Sequence, residues 1–299
     1  MKYPIITIKL TSSAIAIASL VSASIASAQN IYVGDWDNSE IYQVTPGGSV
    51  SSYQGATRPE GLAFDSSGDL FVSESAANQI EEFTTGGGST TFASGLDSPN
   101  GLAFNRSGDL FEADHDSGTI YEFTPSGQQS TFVTLADPNG MAFNTAGDLF
   151  VSDNYGSTIS EITPGKTIST FATGLNAPSG LAFDAAGDLF EADSTAGNIN
   201  EFIDHGGVLS STPVVFKSDL STPGALAFDT AGNLYVTEQG DGELARIAPN
   251  GTITVVASGL GTDSSMAISG IALPVPEPSP AALAAIGGAF MLLIRRRQK

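Results

Sequence analysis

The chain has 299 residues, with 11 Lys and Arg against 32 Asp and Glu, and no cysteine. Disulfides, thiolate metal sites and cysteine nucleophiles are thereby excluded, and a formal charge of −21 leaves too few cations to neutralise a row of phosphates, which argues against nucleic acid as a partner. With 34 Gly and only 14% charged residues, the composition is that of a turn-rich β protein rather than a helical bundle or a disordered acidic tail.

Residues 1–28 begin with Lys2 and Lys9, run through an apolar stretch from Leu10 to Ile25 and end in Ala26-Ser27-Ala28. That order is expected of a secretory signal peptide cleaved after Ala28. The body is then 29–274. Of the cations, Lys2, Lys9, Arg295, Arg296, Arg297 and Lys299 lie outside it, as does Glu277 among the acids, so it holds 5 basic and 31 acidic residues, a formal −26. A chain of this size buries a core without covalent staples.

One unit recurs through the body. Its clearest copy is an apolar strand, a turn and a second apolar strand, from Gly61 through Phe64 to Val72. Copies centre on Phe64, Phe104, Phe143, Phe183 and Phe228, at spacings of 40, 39, 40 and 45. An acid closes each second strand (Glu74, Asp114, Asp153, Asp193, Glu238), and an aliphatic residue follows six positions later (Ile80, Ile120, Ile159, Ile199, Leu244). Four short strands in about 40 residues describe a propeller blade. The chain enters on a second strand, Ile31–Asp35, and Gly270–Leu273 supplies a matching first strand, so the expected fold is all-β, a six-bladed propeller closed by pairing its two ends. Extra residues are expected near 204–213 and near 261–269. The turns that begin at Asp65, Asn105, Asn144, Asp184 and Asp229 read as Asx turns with a positive-φ glycine rather than calcium loops, because each offers too few oxygens.

The Pro-x-Gly-Leu-Ala-Phe-Asp, Gly-Asp-Leu-Phe-Val and acid-then-aliphatic order resembles NHL-repeat propellers and the gluconolactonase and luciferin-regenerating-enzyme family. That resemblance implies the propeller and, because such folds host hydrolases, lyases and binding proteins alike, no single activity.

A site is expected where positions vary between blades at one end of the channel. The residues preceding the first strands are Glu60, Asn100, Asn139, Ser179, Pro223 and Ser269, three of them good oxygen donors from consecutive blades. Carboxylate and amide oxygens converging in so acidic a body suit a hard cation, calcium or magnesium. The family resemblance implies Glu60 as the Glu ligand and Asn100 and Asn139 as Asn ligands, while Ser179 and Pro223 stand where that family's catalytic Asp is expected. Loop residues Trp36, Asp114, His115, Asp153, Asn154 and Tyr155 are candidates for a ligand rim. The closing acids also suit loop capping. Glu112 and Glu191 replace a valine and are expected to line the channel.

Residues 275–299 hold Pro276-Glu277-Pro278, apolar Ala281 to Ile294, and Arg295-Arg296-Arg297. The apolar run is marginally long enough to enter a bilayer, and the arginines hold its end in the cytoplasm. This order resembles the PEP-CTERM sorting signal. The resemblance implies export, inner-membrane anchoring before processing by an exosortase, and a final place at the cell surface or in an extracellular matrix, often with polysaccharide. The membrane is then met only through the C-terminal helix. The combined reading is a binding or scaffold module, with extracellular polysaccharide or a surface protein as partner and a divalent cation at the channel mouth. A metal-dependent lactonase-type hydrolase or a propeller lyase is the alternative.

Overall fold

The computed structural model describes residues 29–261 and 264–269. The segment 1–28, expected to be a signal peptide, and the tail 275–299, with Pro276, Glu277 and Pro278, lie outside the described residues. Among those residues no helix is long and apolar enough to cross a membrane.

Six four-stranded antiparallel sheets form the blades of a propeller. Blade 2 shows the plan: β4 (Pro59–Phe64) is innermost, followed outward by β5 (Leu70–Glu74), β6 (Gln79–Phe83) and β7 (Ser89–Ser94). Blades 3 to 6 repeat it through β8–β11 (99–134), β12–β15 (138–173), β16–β19 (178–217) and β20–β23 (223–258). Blade 1 takes β1 (Ile31–Asp35), β2 (Glu40–Val44) and β3 (Val50–Gly55) from the start of the chain and its inner strand, β24 (Ser264–Ile268), from the end.

That closing strand corrects the expected one. β24 pairs with β1 from Ile31 with Ile268 to Asp35 with Ser264, six residues upstream of Gly270–Leu273, which lie outside the described residues. Ile268 thus takes the place of Phe64, 40 residues after Phe228, and the extra residues expected near 261–269 are not an insertion. The insertion at 204–213 is real. It joins β18 (Asn198–Phe202) to the short β19 (Val214–Lys217) at the end of the blade away from the inner-strand starts, closed on itself by a bridge between Asp204 and Leu209.

The repeat residues explain the packing. The spaced aliphatics Ile41, Ile80, Ile120, Ile159, Ile199 and Leu244 are each 0% exposed at blade centres. An aromatic on the second strand bridges its own outer strand and the next blade: Phe71 meets Phe92 and Phe104 edge-on at ring-centre distances of 5.0 and 5.1 Å. Phe111, Phe150 and Phe190 repeat the arrangement. Such pairs contribute about 0.5–1.5 kcal/mol each beyond their area. The turns behave as Asx turns: Asp65 Oδ1 accepts the N–H groups of Ser67 and Asp69, both at 2.8 Å, and Gly68 sits at φ 87°. In all five turns the Oδ1 oxygen is committed to backbone N–H groups.

Glu112 and Glu191 are corrected too. Both are 0% exposed on the second strand, and neither lines the cavities at the two ends of the channel. Glu112 has no side-chain partner, only the Asn100 backbone N–H pulling weakly toward its charged form, whereas Glu191 Oε2 accepts Asn200 Nδ2 at 2.9 Å and its Oε1 is orphaned. Burial, with Asp114 two residues away adding repulsion, pushes Glu112 up to about 9. Burial likewise raises Glu191 to about 8, with the Asn200 amide pulling the other way. A carboxyl raised above its unfolded value of 4.5 costs stability as pH rises from that value to the folded one, about 1.4 kcal/mol per unit. Glu112→Val, the residue of four of the other blades, is therefore expected to gain about 3 kcal/mol at pH 7, shrinking toward pH 4.5. Urea unfolding at pH 5 and pH 8 checks this, and equal gains at both would contradict it.

Candidate functional site at the channel mouth

The inner strands start at one end of the channel, and each start is built the same way. Pro59, Pro99, Pro138, Pro178 and Pro223 pair with the closing acids Glu74, Asp114, Asp153, Asp193 and Glu238. A register shift follows in each strand, and the residue after the proline faces the mouth. This frame corrects blade 6: its mouth position is Gly224, not Pro223. The Gln239 amide fills that space, since a Cβ on Gly224 would stand 2.7 Å from its Nε2. In blade 1 the cavity residue is Ser265, not Ser269.

A cavity of about 200 Å³ opens there, and its polar side chains are Glu60, Asn100, Asn139, Ser179, Gln239 and Ser265. The three proposed ligands are therefore brought together. The cavity is narrow because the glycine after Glu60, Asn100, Asn139 and Ser179 lets the next inner strand press close. A Cβ on Gly61, Gly101 or Gly140 would run into the carbonyl oxygen of Asn100, Asn139 or Ser179 respectively. Hydroxyls on alternate second strands fix these joints: Ser73 Oγ accepts the Gly61 N–H at 2.7 Å and donates to the Asn100 carbonyl. Ser152 does the same between Gly140 and Ser179. Nothing in the repeat pattern singled out Ser73, Ser152 or Gln239, because their partners lie in other strands.

The closing acids cap loops. Glu74 Oε1 accepts the Thr57 N–H at 2.8 Å and Asp114 Oδ2 the Asp97 N–H at 2.8 Å, tying down the segment that leads into each inner strand. Asp153 Oδ1 accepts the Gly156 N–H. Of the other rim candidates, His115 and Tyr155 lie ring to ring at 6.0 Å on adjacent blades, with Tyr155 76% exposed. Asn154 is half-buried beside Tyr155. Trp36 carries the Arg58 guanidinium over its ring at 4.2 Å. The rim is thus aromatic in places and the cavity amide- and hydroxyl-lined.

The donor set decides what the mouth can do. One carboxylate, three amides and two hydroxyls are hard oxygen donors, and the side-chain amides of Asn100 and Asn139 have no hydrogen bond among the described residues. They fit a hard cation held with modest affinity, because affinity rises with ligand charge. Among the described residues no group of three or more His, Cys, Asp or Glu could hold an ion, so such a site depends on the amides. No imidazole lines the cavity: His115 stands on the rim, and His205 lies in the insertion at the far end.

The sequence model of the virginiamycin B lyase family matches residues 9–273. No curated protein matches the chain. Among solved structures, a catalytically inactive histidine-to-alanine variant of virginiamycin B lyase from Staphylococcus aureus, determined with quinupristin, is similar at 16% identity, covering 82% of this chain and 96% of that one with a TM-score of 0.60. A chain of the nidogen/laminin complex is similar at 19% identity over 80% and 98% of the two chains, TM-score 0.67. A gluconolactonase candidate is similar at 20% over 70% and 81%, TM-score 0.62. At these identities the likeness is one of fold.

Proposed function

We propose, on the premise that the chain belongs to the virginiamycin B lyase family, that it is an exported propeller which binds at its channel mouth without catalysing ring opening. Glu60, Asn100 and Asn139 hold a divalent cation, calcium or magnesium, and the rim of Trp36, His115, Asn154 and Tyr155 meets the larger ligand, an extracellular polysaccharide or a surface protein. The cation supplies a positive centre for hydroxyl or carbonyl oxygens of that ligand. Among the described residues Glu60 provides the only charge lining the cavity, and the two amides orient the cation. The signal-like start and the Pro276-Glu277-Pro278 tail support export and sorting to the cell surface.

The observation that carries this reading is the cavity lining itself: a single carboxylate with amides and hydroxyls and no imidazole. Proton abstraction needs a base whose pKa lies near the working pH and which reaches the substrate. A Glu60 committed to a cation is a poor candidate. Incubation of the 29–274 body with quinupristin and magnesium, followed by mass spectrometry, is expected to leave the ligand intact. A ring-opened product whose formation stops on Glu60→Gln would establish the lyase reading instead, and lactone hydrolysis lost in the same way would establish the hydrolase.

A further inference from the structure

The described ends of the chain meet at the end of the channel opposite the mouth. Ser269 N–H donates to the Asn30 carbonyl at 2.9 Å, and Gln29 Nε2 donates to the Ser269 carbonyl at 2.9 Å. Gln29 Oε1 in turn accepts from the Thr230 N–H and hydroxyl at 3.1 and 3.2 Å. Thr230 belongs to the turn after Phe228, on the face that carries the Asx turns. Ile268, just before the exit, lines a second, mainly apolar cavity of about 240 Å³ with Phe64, Phe104 and Phe143 at that same end. The chain therefore leaves the propeller near the axis and on the face away from Glu60, Asn100 and Asn139.

Eleven residues, 270–280, separate Ser269 from the apolar run that begins at Ala281. Fully extended they reach about 36–40 Å. A route to the mouth face must pass outward over β1, β2 and β3, about 14 Å at 4.8 Å per strand, and then climb a strand length of about 17 Å. Clearing the loops at both ends of the blade uses up the remainder before an apolar segment could turn into a bilayer there. We infer that a C-terminal membrane tether holds this propeller with its turn face toward the bilayer and its polar mouth outward, open to a ligand too large to enter a membrane-side gap. The inference rests on the reading of 281–297 as a membrane-entering segment stopped by arginines. The turn face presents Asp65, Asp69, Asp109, Asp148, Asp184 and Asp188, with Arg106 in the turn of blade 3. Facing anionic headgroups, these carboxylates keep the body standing off the surface instead of lying on it.

The absence of cysteine makes the test clean. Full-length protein is exported, in cells lacking an exosortase so that the tail stays attached, carrying one of two single substitutions at exposed positions, Ala76→Cys on the mouth face or Ala185→Cys on the turn face. Spheroplasts are treated with a bulky polyethylene glycol maleimide. The expected result is several-fold faster modification at 76 than at 185, with the two rates converging once detergent dissolves the membrane. Equal rates on intact spheroplasts, or a faster rate at 185, overturn the orientation. Absence of the protein from the membrane fraction overturns the tether reading, and the orientation with it.

Discussion

A body that stops at Gly261 is expected not to hold a folded monomer, whereas one that stops at Ser269 is expected to melt where the 29–274 body melts. Removing β24 strips β1 of its inner partner along all five residues and leaves the polar edge that propeller closure exists to remove. It also deletes Met266, Ala267 and Ile268, which are 7%, 8% and 4% exposed. Met266 and Ile268 pack with Ile31, Val33 and Tyr235 between blades 6 and 1, and Ala267 packs with Leu62, Val72 and Tyr32 between blades 1 and 2. Losing the Met and Ile side chains alone forfeits about 1.5–3 kcal/mol each. With the exposed partners and the broken ladder added, the loss reaches the order of the 5–15 kcal/mol that holds a typical domain. Thermal melts with size-exclusion chromatography of the two truncations decide the matter. A stable monomer ending at Gly261, or a destabilised protein ending at Ser269, would contradict the assignment of β24.

Gly101→Ala is expected to cost about 3–5 kcal/mol, at the upper end for a change of one methyl group. Gly101 does not need a positive φ; what forbids the methyl is the carbonyl of Asn139 on the neighbouring inner strand, which a Cβ would overlap. That carbonyl belongs to backbone held on both sides in a closed ring, so it cannot swing aside as a side chain would. Relief requires spreading blades 3 and 4, and this moves Asn100 and Asn139 apart at the mouth. Gly86→Ala is the control, because its Cβ would meet only the Thr84 hydroxyl, at 3.8 Å, an ordinary contact. It should shift stability by less than about 0.5 kcal/mol. Urea unfolding of both variants is the measurement, and a Gly101→Ala loss under 1 kcal/mol would show that the inner strands yield more than their geometry implies.

Periodicity made the blades, their number and their inner apolar faces readable in the sequence, because each copy repeats the same physical demands: a buried aliphatic, an acid over a loop, a glycine in a tight turn. What it misread were positions where one copy departs from the others. Gly270–Leu273 imitates an inner strand by its glycine and aliphatics, while Ser264–Ile268 does the work with serines where other blades have Pro and Gly. In blade 6 the glycine resembles the repeating anchor, yet the proline keeps the pairing with Glu238 and the glycine moves into the mouth. Glu112 and Glu191 were seen as exceptions, but strand alternation alone does not say whether such a side chain meets the channel or the neighbouring blade. Glu60, Asn100 and Asn139 were legible as a group because they precede equivalent strands. Gln239 was not, since it reaches the mouth from a loop after β21 (Leu234–Glu238) only where Gly224 leaves room.

Calorimetric titration of calcium into the 29–274 body, beside Glu60→Gln, tests the binding account most directly. One carboxylate with two amides predicts one ion per propeller, with a dissociation constant on the order of 10⁻⁴–10⁻³ M. Glu60→Gln is expected to weaken it at least about tenfold, which is 1.4 kcal/mol or more, while the calcium-free variant melts where the parent does. No binding heat at millimolar calcium, or equal binding by the Gln variant, would contradict the account.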